Sequence, residues 1–332
     1  MVEDTFLKKH GIKVNRELKR EEKKIIVNNI VNLLTNKFPS IRVDSIRLYH
    51  FLLNINMYIV NIPTGISYVN YSYQNKAIYF SDEIDTLKFD DVVLHEFLHC
   101  IQDKIKENNH MGLCEFNKKE INGLMFNEAA NQYIANTILD KSSKRYKLFG
   151  ITINTKSNMH FSIISNIMEE VAILFGEKSL VNSTVLADGI FKKIMIEQIG
   201  MENTKLVLES FDKIFYLQQD LNFKNRNGIT YHIKETYYNT QKLLYTEYFN
   251  SIKLEEANLE VLKEKLISLK SKFENTESYD DYILFYDQKM VEIEHYEMSK
   301  LALVKVSNNV FSKLFRKLKI FNNAEYNKNI QK

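Results

Sequence analysis

Helix-breaking residues are scarce in this chain. Two prolines and nine glycines are spread over 332 residues. That is too few to punctuate a many-stranded sheet protein, so helices are expected to form the bulk of the fold. Glu17 to Lys37 reads as one of them. Leu18, Ile25, Ile26, Ile30, Val31 and Leu34 recur on one face, and Pro39 ends the run. A strand-rich stretch follows. Leu53, Ile55, Met57 and Ile59 alternate with polar residues, and Ile66 to Tyr73 and Lys76 to Ser81 flank Gln74-Asn75 as a hairpin.

The period turns helical again from about Asp90 to Lys106, where Leu94, Phe97, Leu98, Ile101 and Ile105 form an apolar stripe. Asp90 and Asp91 suit its N-terminal end and Lys104 and Lys106 its C-terminal end. Asn108 to Gly123 reads as a polar connector and Leu124 to Leu139 as a second helix. Beyond Ser157 nearly everything is helical, with breaks near Gly176, Gly200 and Asn225 to Gly228 and a charged amphipathic helix from Glu255 to Phe273. Three regions are expected: an N-terminal helical segment (1–38), a central domain (39–240) and a C-terminal helical region (241–332).

The helix beginning near Asp90 carries His95-Glu96-Phe97-Leu98-His99, an H-E-x-x-H motif. Residues four apart stand one above the other on a helix, so His95 and His99 present two imidazoles to a single ion, the spacing used to bind Zn²⁺. Val92, His95, His99 and Gln102 share a stripe offset from the apolar one, so the ligands line a cleft while the other side anchors the helix. Glu96 lies about 100° further round, within reach of a water on the metal. A third protein ligand is required. Residues 100 to 105 supply no further His, which disfavours the metzincin pattern. The best candidate is Glu128 on the second helix, where Ala129 and Ala130 would let two helices approach closely.

The pairing of His95 to His99 with Asn127-Glu128 resembles the gluzincin metallopeptidases, the thermolysin-like clan, over about Asp90 to Ala135. Asn127 to Tyr133 also looks like a stretch of small clostridial and bacillar zinc peptidases, and Leu94 to Gln102 is similar to their H-E-x-x-H-x-x-Q helix. The resemblance implies an α+β, mostly helical zincin-like fold, with a small strand-rich lobe before the active-site helix and a helical lobe after it. It implies one Zn²⁺ per chain on His95, His99 and Glu128, and hydrolysis of a peptide bond with Glu96 as general base. It also implies that the residue four after the ligand Glu orients a ligand His. Gln132 stands there, an uncharged acceptor in place of the family's carboxylate. His160, which opens the next helix, is the expected oxyanion donor, with Tyr146, Tyr231 and His232 as further candidates.

Ala130-Asn131-Gln132-Tyr133 also resembles the corresponding helix of the ImmA/IrrE group, which implies a regulatory protease acting on one protein partner. A non-catalytic binding protein on the zincin scaffold is the other alternative.

The remaining features bear on partners and location. The net charge of +3 implies no general affinity for polyanions, and no nucleic-acid module is visible, so the expected partner is a peptide or protein substrate. Lys76 to Ser81 is the strand expected to bind it in extended form through free backbone groups. Met1 to Lys24 lacks the apolar core of a secretory signal, and Cys100 and Cys114 are too few for a disulfide framework. Both point to the cytoplasm. From Ser299 the chain holds eight basic residues and one acidic one, interleaved with Val310, Phe311, Leu314, Phe315, Leu318 and Phe321. This basic C-terminal helix is expected either to pack on the body or to touch an anionic membrane or acidic partner.

Overall fold

The computed structural model describes residues 5–83, 89–105, 110–116, 121–157, 161–221 and 226–302. The fold is α+β and mostly helical. Helix α1 (Thr5–His10) leads into strand β1 (Lys13–Glu17), helices α2 (Arg20–Lys37) and α3 (Ser45–Leu53), and strands β2 (Asn56–Asn61), β3 (Val69–Ser72) and β4 (Ala77–Ser81). Helix α4 (Asp91–Ile105) follows, then β5 (His110–Met111), β6 (Cys114–Phe116), β7 (Ile121–Asn122), helix α5 (Leu124–Ile138) and the hairpin of β8 (Lys144–Leu148) and β9 (Ile151–Thr155). The rest is helical: α6 (Ser162–Phe175), α7 (Glu177–Leu186), α8 (Ile190–Ile199), α9 (Met201–Asp220), α10 (Arg226–Asn250), α11 (Leu259–Phe273) and a last described helix over 279–302. No helix among the described residues is long and apolar enough to cross a membrane.

Several local readings are corrected. The alternation starting at Leu53 marks no strand there. Leu53 closes α3, whose N-terminus is capped by the Asp44 side chain accepting from the N–H groups of Ile46 and Arg47. The strand begins only at Asn56. The N-terminal segment expected to be helical also contributes β1, a strand of wholly exposed residues that forms because its backbone pairs antiparallel with β2. The connector before Gly123 holds the small antiparallel sheet β5-β6-β7.

The main sheet has the order β1-β2-β4-β3, with β2 and β4 parallel and the other two pairs antiparallel. Strand β4 is therefore interior, every residue of it buried, and β3 is an edge. This reverses the expectation that Lys76 to Ser81 offers the free edge. Either strand of a hairpin can lie outermost, and β2 claims the outer side of β4.

Among the described residues, beside a small apolar cluster of Ile12, Val60, Ala77 and Tyr79, two large ones form most of the body. One joins Ile26, Val27 and Ile30 of α2 to the sheet and to Leu94, Phe97, Leu98 and Ile101 of α4. The other joins Phe126 of α5 to Val171, Leu244, Leu262 and Tyr282 from the helical half. Helix α5 feeds both, giving Ile134 and Ala135 to the first and Ala129 and Ala130 to the second. These clusters cross the boundaries expected at residues 38 and 240. Helix α2 shares its core with α4, and α11 shares its core with α5.

Candidate metal centre

Helix α4 starts where the Asp90 carboxylate accepts from the N–H groups of Val92 and Val93, at 3.1 and 3.0 Å. Leu94, Phe97, Leu98 and Ile101 of its apolar stripe are buried, as the periodicity predicts, and Cys100 is a buried thiol. That orientation turns His95 and His99 toward α5. At the start of α5, Asp212 of α9 accepts from the N–H of Met125 at 3.0 Å. Ala129 and Ala130 are fully buried, so the helices that flank α5 pack closely against it.

The three expected ligands converge. Nε2 of His95 lies 2.9 Å from Oε2 of Glu128 and 3.0 Å from Nε2 of His99, and His99 Nε2 lies 3.2 Å from the same carboxylate oxygen. Both histidines are buried. A tetrahedral ion bonded to such atoms at the usual lengths sets its ligand atoms about 3.3 Å apart. Two imidazole nitrogens and one carboxylate oxygen at this spacing form a group that could hold a metal ion.

The electrostatics suit a cation. Burial works against charge on Glu128, but the His99 and His95 imidazoles beside it outweigh burial and hold its carboxyl well below the usual range. Burial likewise works against charge on His99, yet the Glu128 carboxylate raises that imidazole to about 9. Glu96 is half-buried. Loss of water raises its carboxyl, and the two imidazoles and an N–H bond from Tyr71 only partly offset this.

A buried polar network locks α4 to α5 behind the ligands. Gln102 Nε2 donates to Asn131 at 2.7 Å, to Asn127 at 3.2 Å and to the Thr184 carbonyl at 3.0 Å. Asn127 Oδ1 also accepts from the N–H of Leu113 at 2.9 Å. Gly112 is required here. Its φ is +58°, and a Cβ on it would lie 2.2 Å from Asn127 Oδ1. Nδ1 of His99 meets Tyr73 Oη at 2.6 Å and Asn131 Nδ2 at 3.2 Å.

Two cavities flank the ligands, and Glu96 and Glu128 line both. One, of about 450 Å³, is walled by Ile66, Tyr68, Val92, His95 and Phe161. The other, of about 520 Å³, is walled by Tyr71, Tyr73, Lys76, His99 and Asp103. Asn70 and Tyr71 of edge strand β3 line the second cavity, and Ile66, Ser67 and Tyr68 just before the strand line the first. Tyr71 donates its N–H to Glu96 Oε2 at 2.7 Å instead of to β4. Antiparallel pairing alternates, so the backbone of Val69, two residues back, faces the same way.

No protein-family model, curated protein or solved structure matches the chain.

Of the residues expected from the sequence, His95, Glu96, His99 and Glu128 come together. Gln132 does not orient a ligand imidazole through a hydrogen bond. Its Nε2 donates to Asp91 at 2.8 Å and to Asn136 at 3.1 Å. Tyr146 packs on the helical core, and Tyr231 and His232 are exposed, with His232 beside Glu235. None of the three lines either cavity. His160 lies outside the described residues, as do Val310, Phe311, Leu314, Phe315, Leu318 and Phe321 of the basic C-terminal segment. Sequence reasoning missed Tyr71, Tyr73, Asp91 and Phe161. Asp91 sits one turn before His95 on α4, whereas Tyr71, Tyr73 and Phe161 reach the site through long-range packing, and only the aromatic character of the Ile66–Tyr73 stretch hinted at two of them.

Proposed function

We propose that the chain is a zinc-dependent metallopeptidase of the gluzincin type, with a zincin-like arrangement of an edge strand beside the H-E-x-x-H helix. The observation that carries this reading is the convergence of His95, His99 and Glu128 to within 3.2 Å of one another, with Glu96 in the same cleft. His95, His99 and Glu128 would hold the zinc. When bound, the metal supplies Lewis acidity to a water and to the scissile carbonyl.

Glu96 takes the proton of the attacking water and later passes it to the leaving amine nitrogen. Its raised carboxyl makes it a stronger base than an exposed glutamate, and the Tyr71 N–H holds one of its oxygens in place. The outward backbone of β3 at Val69 is suited to aligning an extended peptide along the cleft. The nearness of Glu96 to the His95–His99–Glu128 group, with both cavities lined by Glu96 and Glu128, supports this reading.

Replacing Glu96 with Gln keeps size and hydrogen bonding but removes the base. The variant should retain zinc by metal analysis and lose cleavage of a peptide library by roughly 10²–10⁴-fold. Wild-type turnover by Glu96→Gln would refute the role of Glu96. A zinc-loaded native protein that cleaves nothing in the library would refute the peptidase reading.

A further inference from the structure

We infer that Phe161 is the residue that positions the imidazole of His95, by ring stacking, where a hydrogen-bonding carboxylate would otherwise do so; this rests on the metal reading above. The two ligand histidines are held in different ways. His99 has Tyr73 and Asn131 at its Nδ1. Nδ1 of His95 is buried and has no hydrogen-bond partner among the described residues. Gln132, at the position the resemblance expects to orient a ligand imidazole, is engaged with Asp91 and Asn136 instead.

What His95 does have is an aromatic face. The ring of Phe161 lies 5.9 Å away, centroid to centroid, and within 6° of parallel. Phe215 of α9 stacks on Phe161 in turn, at 6.1 Å and 17°. Phe161 is the residue from which α6 starts, and α6 is buried along most of its length, so the ring stands on a fixed support. An imidazole without a partner at Nδ1 can turn about its Cβ–Cγ bond unless something packs on its faces. A near-parallel ring in offset contact opposes that rotation. It thereby keeps Nε2 directed at His99 and Glu128, the task a hydrogen-bonded partner performs at other metal-binding histidines.

Phe161 also lines the cavity that His95 and Glu96 share. A side chain seated in that cavity would press on the same ring that orients the ligand.

The test uses the full chain, with zinc affinity measured by competition against a chromophoric chelator and with melting of the metal-free protein. Phe161→Leu keeps apolar bulk but removes the ring, and should bind zinc about 10-fold more weakly. Phe161→Tyr keeps the ring and should stay within about 3-fold of the native protein. The metal-free melting temperatures of the two variants should agree. Native affinity in Phe161→Leu overturns the inference, and so does a Phe161→Tyr protein as weak as Phe161→Leu.

If Phe161→Leu does not fold, Phe215→Leu carries the test. It leaves Phe161 in place but unsupported, with an expected loss of about 3-fold, and native affinity there overturns the inference. Unchanged affinity in these variants leaves the peptidase reading standing. A native protein that binds zinc but cleaves nothing ends that reading and leaves this test intact.

Discussion

Gln132 and Asp91 are joined across the flank of the metal centre. Nε2 of Gln132, one turn after Glu128, donates to Oδ2 of Asp91, one turn before His95, at 2.8 Å. Lys141 pairs with the other oxygen of the same buried carboxylate. The helix that carries two ligands is thus tied to the helix that carries the third. A carboxylate is kept beside the site, but it comes from α4 and acts on α5.

Removing that carboxylate should be costly. Asp91→Ala removes one of the two acceptors of the Gln132 amide and the carboxylate paired with the Lys141 ammonium, while Gln132 keeps Asn136 and Lys141 keeps some access to water. A loss of about 2–3 kcal/mol is expected in urea unfolding of the metal-free protein. A loss below about 0.5 kcal/mol would show that the pair is not stabilising.

Gly112 should tolerate no side chain. Its left-handed backbone and the 2.2 Å approach to Asn127 leave no room for a Cβ. Gly112→Ala should destabilise by about 2–4 kcal/mol, because either the turn or the Gln102–Asn127–Asn131 network must give way. Denaturant unfolding beside the native protein checks this, and equal midpoints would refute it.

Metal binding should release a proton. In the metal-free protein His99 is raised above its ordinary value to about 9. The stability this provides is complete below the ordinary imidazole value of about 6.5 and is lost as pH rises through about 9. Glu128 is lowered and is already ionised at neutral pH. At pH 7.5 zinc should therefore displace about one proton, from His99. Calorimetric titration in buffers of different ionisation enthalpy counts it. No release would mean that His99 is neutral before the metal arrives.

A second titration lies in the helical half. Glu170 is fully buried in α6, and burial holds its carboxyl well above the usual range, offset only in part by Lys272 and Gln241. An acid raised in the folded state binds its proton there while the unfolded chain has released it. Stability therefore falls as pH rises above the ordinary glutamate value, by about 1.4 kcal/mol per pH unit. Glu170→Gln should remove this slope and be relatively more stable at pH 7 than at pH 4.5. Parallel pH profiles for the two proteins would count against it.

The legible part of this protein is local. A helical period fixes the angle between residues four apart. His95 and His99 were therefore bound to share a face, and the stripe of Leu94, Phe97, Leu98 and Ile101 was bound to be the buried side of the same helix. Glu128 was found because a two-histidine site lacks a ligand and the next helix offered an acid beside two alanines. Strand β1 escaped notice because it has no buried face, and α3 because its first turn is set by one aspartate cap. Tertiary structure alone decided that β3 and not β4 is the edge, since this depends on which partner β2 chooses. It also brought Tyr73 to His99 across 26 residues and Gln132 to Asp91 across 41, and set Phe161 on His95. No period in the chain encodes such meetings. They arise when separate helices and strands bury their apolar faces together, and the side chains caught between them take the contacts that remain.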